Sequence, residues 1–130
     1  VAADPRRNPP PGWTVKKSGS LPSMVKWECS HPDCGSTIPF HLRRLAVADA
    51  WRTADLALHA QLVAALHAAG WNPDNDHLIG QPRMGVFEVD TIRVIVSADH
   101  SRWVVQGEDG SFLYDGSSLE DAAKAVVAAF

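Results

Sequence analysis

Hydrophobic positions along the chain follow two different periods. Between residues 13 and 29 apolar residues recur at every second position. Trp13 and Val15 alternate with Thr14 and Lys16; Val25, Trp27 and Cys29 alternate with Lys26 and Glu28. A period of two marks strands with one buried face, and "KSGSLPS" between the runs supplies Gly, Pro and Ser for a turn. Residues 13–29 are therefore predicted to form a β-hairpin, with Lys16, Lys26 and Glu28 on its polar face. From Leu42 to Ala69 the period becomes helical. Trp51, Asp55, Leu58, Leu62, Ala65 and Ala69 share one stripe, which Leu66 widens. Gly70 is a natural stop. Thr53 offers an internal N-cap, so the alternatives are two helices or one; one long helix, with any kink at Thr53, is the favoured reading.

After "WNPDNDH" (residues 71–77), read as a loop, the strand pattern returns from Met84 to Tyr114. The runs "GVFEV", "TIRVIVSA", "RWVVQG" and "SFLY" are β-branched or aromatic, and "SADHSR" and "GEDGS" separate them. Asp109-Gly110 suits a tight hairpin. The first two runs meet at Asp90-Thr91 without a glycine and read as one bent strand or two short ones. Ser117 and Glu120 form a candidate capping box ahead of a last helix, with Leu119, Ala123, Val126 and Phe130 as its buried stripe. The order is N-terminal hairpin, long helix, antiparallel meander and C-terminal helix packed on the sheet. Grouped strands with helices to one side predict an α+β fold.

The chain has 130 residues, 45% of them hydrophobic, enough for one small domain with a real core. That domain is expected over 13–130, made of a basic hairpin and cysteine turn (13–41) and a helix-meander-helix part (42–130). "VAADPRRNPPPG" has four prolines and no apolar period, so residues 1–12 are expected to be a flexible tail. The chain opens on Val1 rather than Met, as a processed, trimmed or partial chain would. No apolar run approaches a membrane span and no secretory leader is visible, so a cytoplasmic protein without a membrane partner is expected.

The net charge of −3 conceals an asymmetry. Residues 1–52 hold eight Lys/Arg against four Asp/Glu, and residues 53–130 hold four against eleven. A basic front and an acidic back suggest two different faces.

"WECSHPDCGSTIPFH", residues 27–41, carries both cysteines and two of the six histidines. Within it "VKWECSHPDCGSTIPF" resembles one knuckle of a zinc ribbon: strand, Cys, short loop, Cys-Gly, strand. The resemblance covers about sixteen residues and half of the motif, because the second Cys pair of a ribbon is missing. It implies Cys29 and Cys34 as zinc ligands, with His31, His41, Asp33 and the helical His59 as the nearest candidates for the remaining positions. Two other readings stay open beside zinc: two free thiols in a reducing compartment, or a Cys29–Cys34 disulfide in an oxidising one. His59 and His67 lie eight apart on the long helix, and Asp74–His77 ("DNDH") lacks the other ligands of a calcium loop.

No nucleophile elbow, phosphate-binding loop, metalloprotease or dinucleotide fingerprint occurs, so no enzyme and no small-molecule substrate is expected. At the level of topology the meander and final helix resemble the double-stranded-RNA-binding domain and the arm-binding domain of tyrosine recombinases. The double-stranded-RNA module presents lysines where this chain has Glu120 and Asp121. The basic front is the stronger nucleic-acid candidate: Lys16, Lys17 and Lys26 beside Trp13 and Trp27, then Arg43, Arg44 and Arg52. Basic side chains among aromatics suit a phosphate backbone with stacked bases. A non-catalytic nucleic-acid-binding module is the leading expectation. The alternative is a protein-interaction domain (adaptor, inhibitor or immunity type) using exposed Trp and an acidic sheet face.

Overall fold

The computed structural model describes residues 4–130; residues 1–3 of the expected tail lie outside the described residues. The fold is α+β, with two antiparallel sheets, a long helix and a C-terminal helix packed on the second sheet. It divides into two compact units, Val1–Ala54 and Asp55–Phe130, and the boundary falls inside the long helix. No helix of the described residues is long and apolar enough to cross a membrane.

In the first unit, β1 (Thr14–Ser18), β2 (Lys26–His31) and β3 (Gly35–Ser36) form a sheet in that order. The expected hairpin is present, runs two residues further, and gains a third strand. Its register sets Val15 opposite Cys29 and Lys17 opposite Trp27. One face therefore carries Val15, Lys17, Trp27, Cys29 and His31; the other carries Thr14, Lys16, Lys26, Glu28 and Ser30. Gly19 makes the β1–β2 turn possible. Its φ is +89°, and a Cβ there would stand 2.3 Å from the Met24 carbonyl oxygen. Beyond β3, Phe40 and Trp27 exchange backbone hydrogen bonds of 2.7 and 2.8 Å, so the chain rejoins β2 after Ile38-Pro39.

Helix α1 (Arg43–Ala68) is a single helix. The Thr53 hydroxyl donates to the Asp49 carbonyl at 3.1 Å, one turn back, so Thr53 is an interior residue and not a cap. In the first unit α1 buries Ala46, Val47, Ala50, Trp51 and Ala54. Residues 4–12, expected as tail, are built into this unit. Asp4 caps a 3-10 turn at Pro5–Arg7, Pro10 is fully buried, and the Trp51 indole N–H donates to the Asn8 carbonyl at 2.8 Å. A buried indole needs an acceptor, and this segment provides one.

In the second unit, α1 ends as Gly70 predicts. Trp71 N–H donates to the Leu66 carbonyl (2.9 Å) and Gly70 N–H to the His67 carbonyl (3.1 Å), a Schellman closure with Gly70 at φ +104°. The following segment is not a plain loop: Pro73–Leu78 is a 3-10 helix capped by the Asn72 side chain. Strands β4 (Val86–Val89), β5 (Ile92–Val96), β6 (Trp103–Gln106) and β7 (Phe112–Gly116) pair in sequence order. The run through Asp90-Thr91 is two strands; Asp90 takes φ +54°, a conformation its short polar side chain tolerates. Helix α2 (Leu119–Ala128) is capped by Ser118, whose hydroxyl accepts from Asp121 N–H at 3.1 Å. The cap lies one residue later than the expected Ser117–Glu120 pair.

The core of this unit joins Leu58, Leu62 and Leu66 of α1 and Ala122, Ala123 and Val126 of α2 to Phe87, Val89, Val94 and Val105 of the sheet. Both helices thus bury their apolar sides against one sheet face. The register places Val86, Ile95 and Val104 in a row on the other face, with Glu88 opposite Arg93; these three apolar residues are half-buried.

Candidate nucleic-acid interface

The two cysteines of the turn differ in burial. Cys29 points into the first unit and is fully buried, whereas Cys34 is exposed in the turn, and both are free thiols. The alternation of β2 separates them: Cys29 faces α1, and Cys34 lies beyond the end of the strand. Burial pushes the Cys29 thiol above its ordinary pKa, an effect partly offset by the Arg43 guanidinium. His31 Nδ1 accepts the backbone N–H groups of Asp33 (3.0 Å) and Cys34 (3.2 Å). The ring therefore caps the turn with one nitrogen and packs on Trp13, with centroids 5.5 Å apart. His41 follows Phe40, which pairs with Trp27, while Gly35 pairs with His31. These pairings put Phe40 at the opposite end of β2 from His31, roughly 13 Å along the strand, with His41 one residue beyond it. Among the described residues no group of three or more His, Cys, Asp or Glu could hold a metal ion.

The other histidines are engaged separately. His59 Nε2 lies 3.1 Å from the Gly80 carbonyl oxygen. His67 Nε2 lies 2.9 and 3.0 Å from the two Asp76 oxygens, and Asp76 also accepts from the Trp71 indole at 3.1 Å. Among the described residues that hydrogen-bond set consists of His67, Asp76 and Trp71 side chains.

The basic front is redistributed by the fold. Lys16 and Lys26 are exposed on the polar face of the first sheet, sharing it with Glu28, which sits directly opposite Lys16. Lys17 lies on the other face with its ammonium 5.4 Å from the centre of the Trp27 ring. Arg43 is committed to structure: its guanidinium donates to the Arg7 carbonyl at 3.1 Å and to Asn8 Oδ1 at 3.4 Å. Arg52 pairs with Asp49 at 2.6 Å, one turn earlier on α1, and Arg44 is exposed in the first turn of α1. Trp13, expected as a stacking platform, is buried against His31. Trp51, Trp71 and Trp103 are buried too, and only Trp27 is half-buried. The expected exposed tryptophans are therefore core residues, whose large apolar area is best spent on packing in small units.

The charge asymmetry falls on the structural division. Residues 53 and 54 are uncharged, so the unit Val1–Ala54 holds eight Lys/Arg against four Asp/Glu, a net +4, and Asp55–Phe130 holds four against eleven, a net −7. Within the second unit many of the acidic residues sit in turns, at Asp90, Asp99, Glu108 and Asp109, rather than across the sheet face. Sequence reasoning missed the role of the 4–12 segment. The signal was present in Trp51 on a helical stripe, which needs a partner for its indole N–H, but nothing local says that Asn8 supplies it.

Comparison of the chain with protein-family models, with curated proteins and with solved structures finds no match.

Proposed function

We propose that this protein is a non-catalytic binding module whose basic unit contacts the phosphate backbone of a nucleic acid. The observation that supports this reading is the coincidence of charge and architecture: the positive charge is collected in the compact unit Val1–Ala54. There the polar sheet face presents Lys16 and Lys26 to solvent. Two exposed lysines on adjacent antiparallel strands suit backbone contacts without base readout. Arg43, Arg52 and Trp13, engaged within the fold, are left out of the contact set. The reading calls on no metal and no reaction.

The test is fluorescence anisotropy with short single-stranded and duplex DNA and RNA across a salt series. Affinity should fall steeply with salt. The double variant Lys16→Ala/Lys26→Ala should reduce the slope by about two units, whereas Lys124→Ala in the acidic unit should leave it unchanged. Absence of binding to every probe at ~10⁻⁴ M in low salt, the weak end of non-specific affinity, would refute the reading.

A further inference from the structure

The four-stranded sheet treats its two edges differently. The β4 edge is covered by the protein's own segment 78–83. Gly80 N–H donates to the Glu88 carbonyl (2.7 Å), Asp90 N–H to that of Leu78 (2.8 Å), and Arg83 and Val86 exchange two bonds of 2.9 Å. The β7 edge has no such covering strand among the described pairings, and it carries Phe112 at 71% and Leu113 at 41% exposure. The register explains the second of these. Val105 pairs with Tyr114 and Gln106 with Phe112, so Leu113 is the extra residue of a bulge. Sheet edges are usually blunted by lysine or proline; residues 107–116 contain neither, and no arginine.

Beside the start of β7 lies an open cavity of about 480 Å³. Its apolar wall includes Ile92, Leu113 and Ala129, and its polar rim includes Glu108, Asp109 and Ser111. The Asp109 carboxylate is held ionised below its usual range by the Ser111 hydroxyl and backbone N–H, at 2.6 and 3.0 Å. Apolar walls ending in two carboxylates match a lysine or arginine side chain, which buries its stem while its cation stays at a polar rim. A second copy of this acidic unit would meet like charge here. A basic strand would meet opposite charge in a unit of net −7.

We propose that the β7 edge docks an extended, basic peptide segment by strand addition, with one Lys or Arg of that segment seated in the cavity between Leu113 and the Glu108/Asp109 rim. Main-chain pairing to β7 gives affinity, and the cavity selects the cation. This contact belongs to the acidic unit and is independent of the nucleic-acid reading.

The test uses the full chain and a fluorescent peptide in which Lys or Arg alternates with Val, beside a control with Glu in place of each basic residue. The basic peptide should bind and the control should not. Glu108→Lys and Phe112→Lys, both surface changes, should each weaken binding about tenfold or more with the circular dichroism spectrum unchanged. Lys16→Ala/Lys26→Ala should leave peptide binding intact. Amide hydrogen exchange should slow in β7 when the peptide is added. Equal binding of the acidic control, an unchanged affinity of Glu108→Lys, protection confined to other strands, or no binding at roughly 1 mM peptide would each overturn the proposal.

Discussion

Thr37 holds Cys29 from both backbone directions: its hydroxyl accepts the Cys29 N–H at 3.0 Å, and its own N–H donates to the Cys29 carbonyl at 2.8 Å. Both residues are buried, so the hydroxyl completes the strand pairing at a position that water cannot reach. Thr37→Val keeps the shape and leaves a buried N–H without its acceptor. It should cost about 1–3 kcal/mol, read as a lower urea midpoint, while Thr37→Ser should recover most of the loss. In the native protein Cys34 should react promptly with a maleimide and Cys29 only after unfolding, because burial both shields its thiol and raises its pKa. Two rapidly reacting thiols would contradict the buried placement of Cys29.

Gly19→Ala should destabilise the first sheet. A Cβ would collide with the Met24 carbonyl, and a φ of +89° strains any residue with a side chain. The expected cost is on the order of 1–3 kcal/mol, and hydrogen exchange should accelerate first in β1 and β2. Unchanged exchange there would mean that the turn relaxes freely.

Leu62 is fully buried between α1 and the second sheet. Leu62→Ala should cost about 2–5 kcal/mol, and Leu62→Asp, which adds a charge without a partner, should abolish folding of that unit. A melting temperature for Leu62→Asp equal to that of the unaltered protein would remove this residue from the core.

Asp99 accepts from the hydroxyls of Ser97 and Ser101, each at 2.6 Å, and from Ser101 N–H at 3.1 Å. These donors hold its pKa down to about 2. The ordinary, unfolded value is near 4, so the folded state binds this proton less tightly than the unfolded state. The stabilisation is therefore present in full above the unfolded value and is lost as pH falls toward about 2. Asp99→Asn should lower the unfolding midpoint at neutral pH, and the gap from wild type should close with acidification. A carboxyl titration by NMR with its midpoint near 4 would contradict the hydrogen bonding described.

Glu28 stands directly opposite Lys16 on the polar sheet face and lowers the positive potential that a phosphate would meet. If that face binds nucleic acid, Glu28→Gln should tighten binding several-fold at low salt, and the gain should shrink as salt screens it. Unchanged affinity would place the contact elsewhere on the basic unit.

The hairpin, the long helix, the four-run meander and the last helix were legible in the chain, because each rests on local periodicity and local stop signals. The alternation around Val15 and Cys29, the stripe through Leu58, Leu62 and Leu66, and Gly70 after it depend on neighbours a few residues away. So does the charge asymmetry, which is a property of composition. Three things were settled only by the tertiary structure. Trp51 finds its acceptor at Asn8, 43 residues earlier, and that bond turns a proline-rich opening into part of a unit. The pairing of Phe40 with Trp27 and of Gly35 with His31 spreads the cysteine-turn residues along a strand instead of gathering them. Folding also brings the distant Arg7 carbonyl and Asn8 side chain to the Arg43 guanidinium, while Lys16 and Lys26 stay on the solvent face. A sequence records which side chains can ligate, stack or carry charge. Which of them remain available depends on the partners that folding brings from distant positions, since a buried polar group has to be satisfied wherever a donor or acceptor can be found.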